Sequence, residues 1–294
     1  MTAQPVINTQ LVTRLVAEQF PQWAGLAIKP VKLNGWDNRT FHLGSDMTVR
    51  LPSAERYAVK VPIEQKWLPK LAPSLSFPIP KPLAMGQPSC DYPWNWSVYR
   101  WIEGDTADIL DECHLRQFAR DCARFLKELH QINTSEGPLA GPHNFYRGGS
   151  LKVYDEETNA AIHKLKGLID TEAVAASWKQ AISSEWVKEP VWVHGDFSVG
   201  NIIVKDRKLA AVIDFGGMGI GDPACDLVLA WTFLTPESRG IFKSHMEMDN
   251  ETWNRARGWA LWKALITLAS LEDMESSDAS QQKRVISSVL SEGL

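Results

Sequence analysis

The sequence predicts an α+β chain, with a small strand-rich front and a larger, mainly helical remainder. Three observations carry this expectation. Short β-type runs separated by turn residues occupy the front, apolar residues step by three and four from Leu115 onward, and one further strand pair interrupts the helical part between Ile202 and Ile213.

The elements follow in order. Val31-Lys32-Leu33 leads into the loop Asn34-Gly35-Trp36-Asp37-Asn38, then Phe41-His42-Leu43, a turn at Gly44-Ser45-Asp46 and a strand from Met47 to Leu51, which together read as a meander. Pro62 suits the first turn of a helix whose Ile63, Trp67 and Leu71 recur on one face. From Pro73 to Pro93 the prolines predict extended backbone, reaching an apolar strand from Trp96 that ends at Gly104. Leu115, Phe118, Cys122, Phe125, Leu129 and Ile132 mark a long amphipathic helix, with His130 beside the stripe as a hydrogen-bonded structural histidine. A Gly- and Pro-containing loop, Gly137 to Gly149, is of the kind that carries substrate contacts. Helical material returns from Leu151 to Trp186, and a final helix spans Trp253 to Leu271.

The polar centre is His194-Gly195-Asp196-Phe197-Ser198-Val199-Gly200-Asn201, followed by Asp214-Phe215-Gly216. Ile202-Ile203-Val204 and Leu209 to Ile213 flank the polar stretch Lys205 to Lys208, a hairpin signal. In an antiparallel pair the residue entering the first strand lies beside the one leaving the second, so Asn201 and Asp214 should project near one point. One carboxylate and one amide oxygen, completed by phosphates, is the protein contribution expected for Mg²⁺. Asp196, on the loop leading into the hairpin, is placed to accept a proton from an incoming hydroxyl. His194 is expected to tether the loop through backbone hydrogen bonds rather than to do acid work.

These residues, with Gly221-Asp222-Pro223-Ala224-Cys225-Asp226-Leu227, resemble the aminoglycoside phosphotransferase family of small-molecule kinases. The resemblance runs from about Val191 to Trp231 and implies a two-lobed protein-kinase-like fold. A β-rich N-terminal lobe would span residues 1–102 and a mainly helical C-terminal lobe 103–294. It implies transfer of the γ-phosphate of ATP or GTP, with Mg²⁺, to a hydroxyl. Asp196 would be the catalytic base, Asn201 and Asp214 the metal ligands, and Asp226 a buried acid bracing the catalytic loop. Main-chain groups of Arg100 and Ile102 would meet the purine, and Gly35 would sit in the phosphate loop. Where a protein kinase has a strand lysine, this chain has Arg50, whose guanidinium grips phosphate differently from an ammonium. Glu64 is its expected partner, and Lys60 competes for the phosphate role.

Composition sets the outer limits. The 294 residues are 44% hydrophobic, enough for two lobes with cores, and no apolar run reaches membrane-spanning length. No signal pattern opens the chain, so a cytoplasmic protein with no membrane partner is expected. The net charge of −4 argues against nucleic acid. Cys90, Cys113, Cys122 and Cys225 lack metal spacing and are expected to be reduced and mostly buried. The thirteen tryptophans and the pair Tyr99 and Trp101 are expected to serve packing. Acidic clusters at Glu103 to Glu112 and Glu272 to Asp278 read as solvated helix ends or as a rim for a cationic acceptor. The acceptor is expected to be an aminoglycoside-like antibiotic. Macrolides, choline-like alcohols and sugar metabolites stay open, as does a degenerate nucleotide-binding sensor or scaffold.

Overall fold

The computed structural model describes residues 5–32, 35 and 37–292. Leu33, Asn34 and Trp36 of the expected meander lie outside the described residues. Helix α1 (Thr9–Gln19), whose first turn is capped when the Asn8 side chain accepts from the Leu11 N–H, packs its Leu11, Val12, Leu15 and Val16 against an antiparallel sheet. The sheet comprises β1 (Ile28–Pro30), β2 (Asn38–Leu43), β3 (Met47–Pro52), and, after α2 (Glu55–Ala58) and α3 (Lys60–Leu71), β4 (Pro82–Gly86) and β5 (Trp96–Arg100). Its order is β1-β2-β3-β5-β4. The first strand therefore ends before Val31, where the expected strand begins, although the Val31 N–H still reaches the Thr40 carbonyl. The helix carrying Ile63 starts two residues earlier than Pro62, which needs no N–H partner in that first turn.

The linker strand stops at Arg100 rather than Gly104, and β6 (Asp105–Thr106) follows. Beyond it lie α4 (Glu112–His130), α5 (Asp155–Lys164), α6 (Thr171–Ala181), β7 (Val191–Val193), β8 (Ile202–Lys205), β9 (Lys208–Val212), β10 (Gly219–Gly221), α7 (Leu229–Thr232), α8 (Pro236–Met246), α9 (Asn250–Ser270) and α10 (Ser277–Leu290). The helix read as the last, α9, is thus followed by another, which starts where the Ser276 hydroxyl accepts from the Ala279 N–H. The second acidic cluster belongs to this connection: Asp273 accepts from the Glu275 N–H, and Asp278 lies in the first turn of α10. Solvated helix-end chemistry accounts for it.

Two small sheets carry the polar centre: β7 pairs with β10, and β6, β8 and β9 form the other. Asp206 and Arg207 close the β8-β9 hairpin with φ of 51° and 61°, the two left-handed residues of a type I′ turn, whose twist suits a two-residue hairpin. Two hydrophobic clusters fill the molecule. One holds α1 and the sheet, including Phe41, Val49, Trp96 and Val98. The larger gathers α4, α8, α9 and α10 around Phe118, Phe125, Trp192 and Trp259, and it also takes Trp67, Leu71 and Ile79. Only Cys122 and Cys225 are buried, while Cys90 and Cys113 are exposed. His130 is not the satisfied histidine expected: its Nε2 is buried with no hydrogen-bond partner. Among the described residues, no helix is long and apolar enough to cross a membrane.

Candidate active site

The segment His194 to Asp196 leaves β7 and turns back beneath Asp214 to Gly217. Its main chain is fixed by Asp226, a fully buried carboxylate that accepts from the N–H groups of His194 at 2.6 Å and Gly195 at 2.7 Å. Burial pushes this carboxyl above its usual value, and His194 with the two N–H bonds draws it partly back. Gly195 has φ +82°, and a Cβ there would lie 2.0 Å from the Gly217 carbonyl oxygen, so only glycine fits. The His194 ring makes three contacts. Its Nδ1 accepts from the Asp196 N–H at 3.2 Å, which leaves Nε2 to donate to the Ile213 carbonyl at 2.9 Å. Its edge also packs on Phe215, with ring centres 4.5 Å apart. A ring so used holds the loop and has no nitrogen left for a substrate.

Asp196 is exposed. Its Oδ2 and its carbonyl each accept from the Asn201 Nδ2 at 2.9 Å. The Ile213 N–H reaches the Asn201 carbonyl at 2.8 Å, closing the base of the hairpin so that Asp214 follows directly on the residue facing Asn201. Asp214 takes the left-handed conformation, φ 63° and ψ 66°. This turns the chain sharply into the Phe215–Gly217 turn, with Phe215 buried behind.

From the sheet, Arg50 on β3 donates Nη2 to Asp214 Oδ1 at 3.0 Å, across 164 residues of sequence. Its Nη1 lies 3.9 Å from Glu64 Oε1 on α3, a looser contact, while the other Glu64 oxygen accepts from the Tyr99 hydroxyl at 2.6 Å. Burial alone would favour the neutral guanidine, but Asp214 and Glu64 outweigh it and hold Arg50 firmly protonated. Burial likewise works to raise Asp214, and here the Arg50 charge and hydrogen bond prevail, so its carboxyl falls below the usual range. At Glu64 burial prevails over Arg50, and the carboxyl sits above its ordinary value. The expected pair is therefore a chain, Tyr99 to Glu64 to Arg50 to Asp214, and Tyr99 does more than pack. Nothing in the local sequence marks Tyr99 for this role.

Lys60 approaches the same region from the start of α3. Its Nζ donates to Asp37 Oδ2 at 2.7 Å and lies 4.6 Å from the centre of the Phe145 ring. A Cβ built on Gly216 would be 3.6 Å from that nitrogen. Arg50 and Lys60 thus both reach the turn that begins at Asp214. Gly35 is exposed, and its carbonyl accepts from Arg39 Nη1 at 3.0 Å.

The linker differs from expectation in one respect. The Arg100 N–H already donates to the Lys81 carbonyl at 3.0 Å, so it is not a free donor for a base, and its side chain pairs with Asp46. Ile102 lies beyond the strand end. The first acidic cluster is exposed: Glu103 lies 3.8 Å from Lys205, Thr106 donates to Asp108, and Asp111 stands at the N-cap position of α4 without a side-chain cap bond.

A family model described as the phosphotransferase enzyme family matches residues 28–259, spanning both the sheet and the catalytic loop. The chain belongs to that family. An aminoglycoside 3'-phosphotransferase of Escherichia coli is 28% identical over 181 residues, covering 54% of this chain and 61% of the relative. An aminoglycoside 3'-phosphotransferase of Salmonella typhimurium matches to the same extent. The chain therefore spans about three-fifths of the length of these relatives. The GDP complex of wild-type aminoglycoside 2'-phosphotransferase-IIIa has a TM-score of 0.72 at 18% identity, covering 98% of this chain and 100% of that one. The macrolide 2'-phosphotransferase MphH from Brachybacterium faecium, as apoenzyme, gives 0.60 at 17% identity, covering 94% and 98%. At such identities the likeness is one of fold, and it shows the two-lobed α+β architecture of phosphotransferase-family enzymes.

Proposed function

We propose that the chain transfers the γ-phosphate of ATP or GTP to a hydroxyl of a small molecule. The observation that carries this reading is the convergence of Asp196, Asn201 and Asp214 at the foot of one hairpin, with Arg50 arriving from the sheet. Phosphoryl transfer asks little covalent chemistry of a protein beyond positioning and charge. Asp196 presents an exposed carboxylate to the acceptor hydroxyl and accepts its proton as the oxygen bonds to phosphorus. The Asn201 amide fixes that carboxylate through Oδ2. Arg50 and Lys60 hold phosphate oxygens, and the main chain around Ile102 meets the base. Residues 1–102 would carry the nucleotide and 103–294 the acceptor.

The donor set suits a hard cation. With Asn201 Nδ2 committed to Asp196, its amide oxygen is left as an acceptor, and Asp214 keeps one oxygen outside its bond to Arg50. Asp214 and Asn201 would hold Mg²⁺, which when bound neutralises charge on the nucleotide phosphates. Intact Asp196, Asn201 and Asp214 speak against a sensor that only binds nucleotide.

The relatives are named for aminoglycosides and a macrolide, so aminoglycoside-like hydroxyl compounds come first as acceptors and antibiotic inactivation as the biological outcome. The same chemistry would serve a sugar metabolite. The test is phosphate transfer from γ-labelled ATP and GTP, with Mg²⁺, across aminoglycosides, macrolides, amino alcohols and sugars. Labelled product in one class is expected, and nucleotide binding without any transfer would return the sensor reading.

A further inference from the structure

Arg147 lies in the loop between α4 and α5, against the catalytic segment. A Cβ on Gly195, next to Asp196, would come within 3.1 Å of the Arg147 Cβ. From there the side chain runs away from the phosphate-side cations to α9, where its guanidinium sits 4.9 Å from the ring centres of both Trp259 and Trp262. These two indoles meet nearly at right angles, 85°, and so form a corner that holds the guanidinium. Tyr154 stacks on Trp262 at 3.9 Å and donates its hydroxyl to the Phe145 carbonyl at 2.6 Å, which pins the loop to the same wall.

The guanidinium is only partly exposed, yet among the described residues it pairs with no carboxylate and gives no N–H to any acceptor. The acid it acts on by charge is the buried Asp226, whose oxygens already accept the His194 and Gly195 N–H groups, while Glu157 accepts from the Trp262 indole at 2.9 Å and Asp155 from the Trp178 indole at 2.7 Å. Stacking occupies the faces of a guanidinium and leaves its in-plane N–H fork open, the geometry that grips a carboxylate or phosphate through two parallel bonds. The Arg147 Cβ abuts Gly195, the residue before Asp196, and a fixed cation with open donors on this wall also repels an ammonium brought to it.

We propose that Arg147 is a specificity-determining residue that binds an acidic substituent of the acceptor, and hence that the acceptor is a sugar-like hydroxyl compound bearing a carboxylate or phosphate. This rests on the phosphotransferase reading above and, within it, favours the sugar-metabolite alternative, with an acidic group, over the cationic aminoglycosides. A matched set of probes tests it: the methyl glycosides of glucuronic acid, glucose and 6-amino-6-deoxyglucose, together with glucose 6-phosphate and kanamycin. Each is assayed for transfer of labelled γ-phosphate by wild type, Arg147→Gln and Arg147→Lys, with thermal unfolding of each variant recorded. Wild type should favour the acidic probes over methyl glucoside by at least about 10-fold in kcat/KM, chiefly through KM, as a charge-assisted bidentate contact implies. That preference should collapse toward unity in Arg147→Gln and be partly restored in Arg147→Lys. Preference for the amino probe or kanamycin overturns the proposal, as does an equal loss on all probes in Arg147→Gln. Transfer to none of these probes but to a macrolide or amino alcohol overturns the proposal alone, whereas transfer to no acceptor of the wider panel overturns the phosphotransferase reading itself.

Discussion

His130 shows how burial overrides position in the chain. It ends α4, where the helix dipole favours a charged imidazole, yet its ring is buried and its Nε2 has no partner. Burial brings its pKa down to about 4. The folded protein therefore keeps His130 neutral down to about pH 4, while the unfolded chain protonates it below about 6.5, so the unfolded state binds more protons in that window. Stability should fall as pH drops from 6.5 toward 4, by at most about 3 kcal/mol from this group. Urea denaturation of wild type and His130→Phe across that range checks this: the variant should have a flatter acid limb, and parallel curves would contradict it. The sequence placed His130 beside the apolar stripe but not its missing partner, because hydrogen bonding of a buried side chain depends on neighbours that no local pattern specifies. Asp196 and His194 were legible for the opposite reason. Their roles follow from spacing within eight consecutive residues, His194 to Asn201.

The β8-β9 hairpin was readable because both strands and their turn are local, while a one-residue bulge at Ala210, which the sequence did not announce, shifts the register so that Asn201 comes beside Ile213. The chain of contacts joining β3, α3 and β5 was only half readable. Arg50 and Glu64 stand close enough in sequence to suggest a pair, but Asp214 and Tyr99 enter through tertiary packing. Helix α10 escaped notice because its buried residues, Ala279, Val285, Ile286 and Val289, are few and set among serines and glutamines. The Arg50 network makes a quantitative prediction. Arg50→Ala should raise the KM for nucleotide, and Glu64→Ala should cost nucleotide affinity in wild type but little in the Arg50→Ala background. A coupling of roughly 0.5–3 kcal/mol is expected for groups in one network. Additive losses in a double-mutant cycle on nucleotide KM would show that Glu64 acts elsewhere, and repeating the cycle with Lys60 tests its rival claim on phosphate.

Across the molecule, one hydrophobic cluster holds α1 and the sheet and a larger one holds the helices, and α3 packs with the larger while its Glu64 reaches Arg50 of the sheet. Trp67, Leu68 and Leu71 of this helix lie in the larger cluster, and Lys60 at its start pairs with Asp37. That arrangement explains why the fold class was legible from strand runs and helical stripes, whereas the way the cations meet the hairpin was not. The central claim is that Asp196 receives the hydroxyl proton while the other groups bind and orient nucleotide. The most direct test is Asp196→Asn, measured for phosphate transfer at saturating acceptor and for nucleotide affinity in the same preparation. Turnover should drop by roughly 10²–10⁴-fold with nucleotide affinity unchanged, the range expected for loss of a positioned general base. Turnover near that of wild type would contradict the account and remove Asp196 from the chemistry.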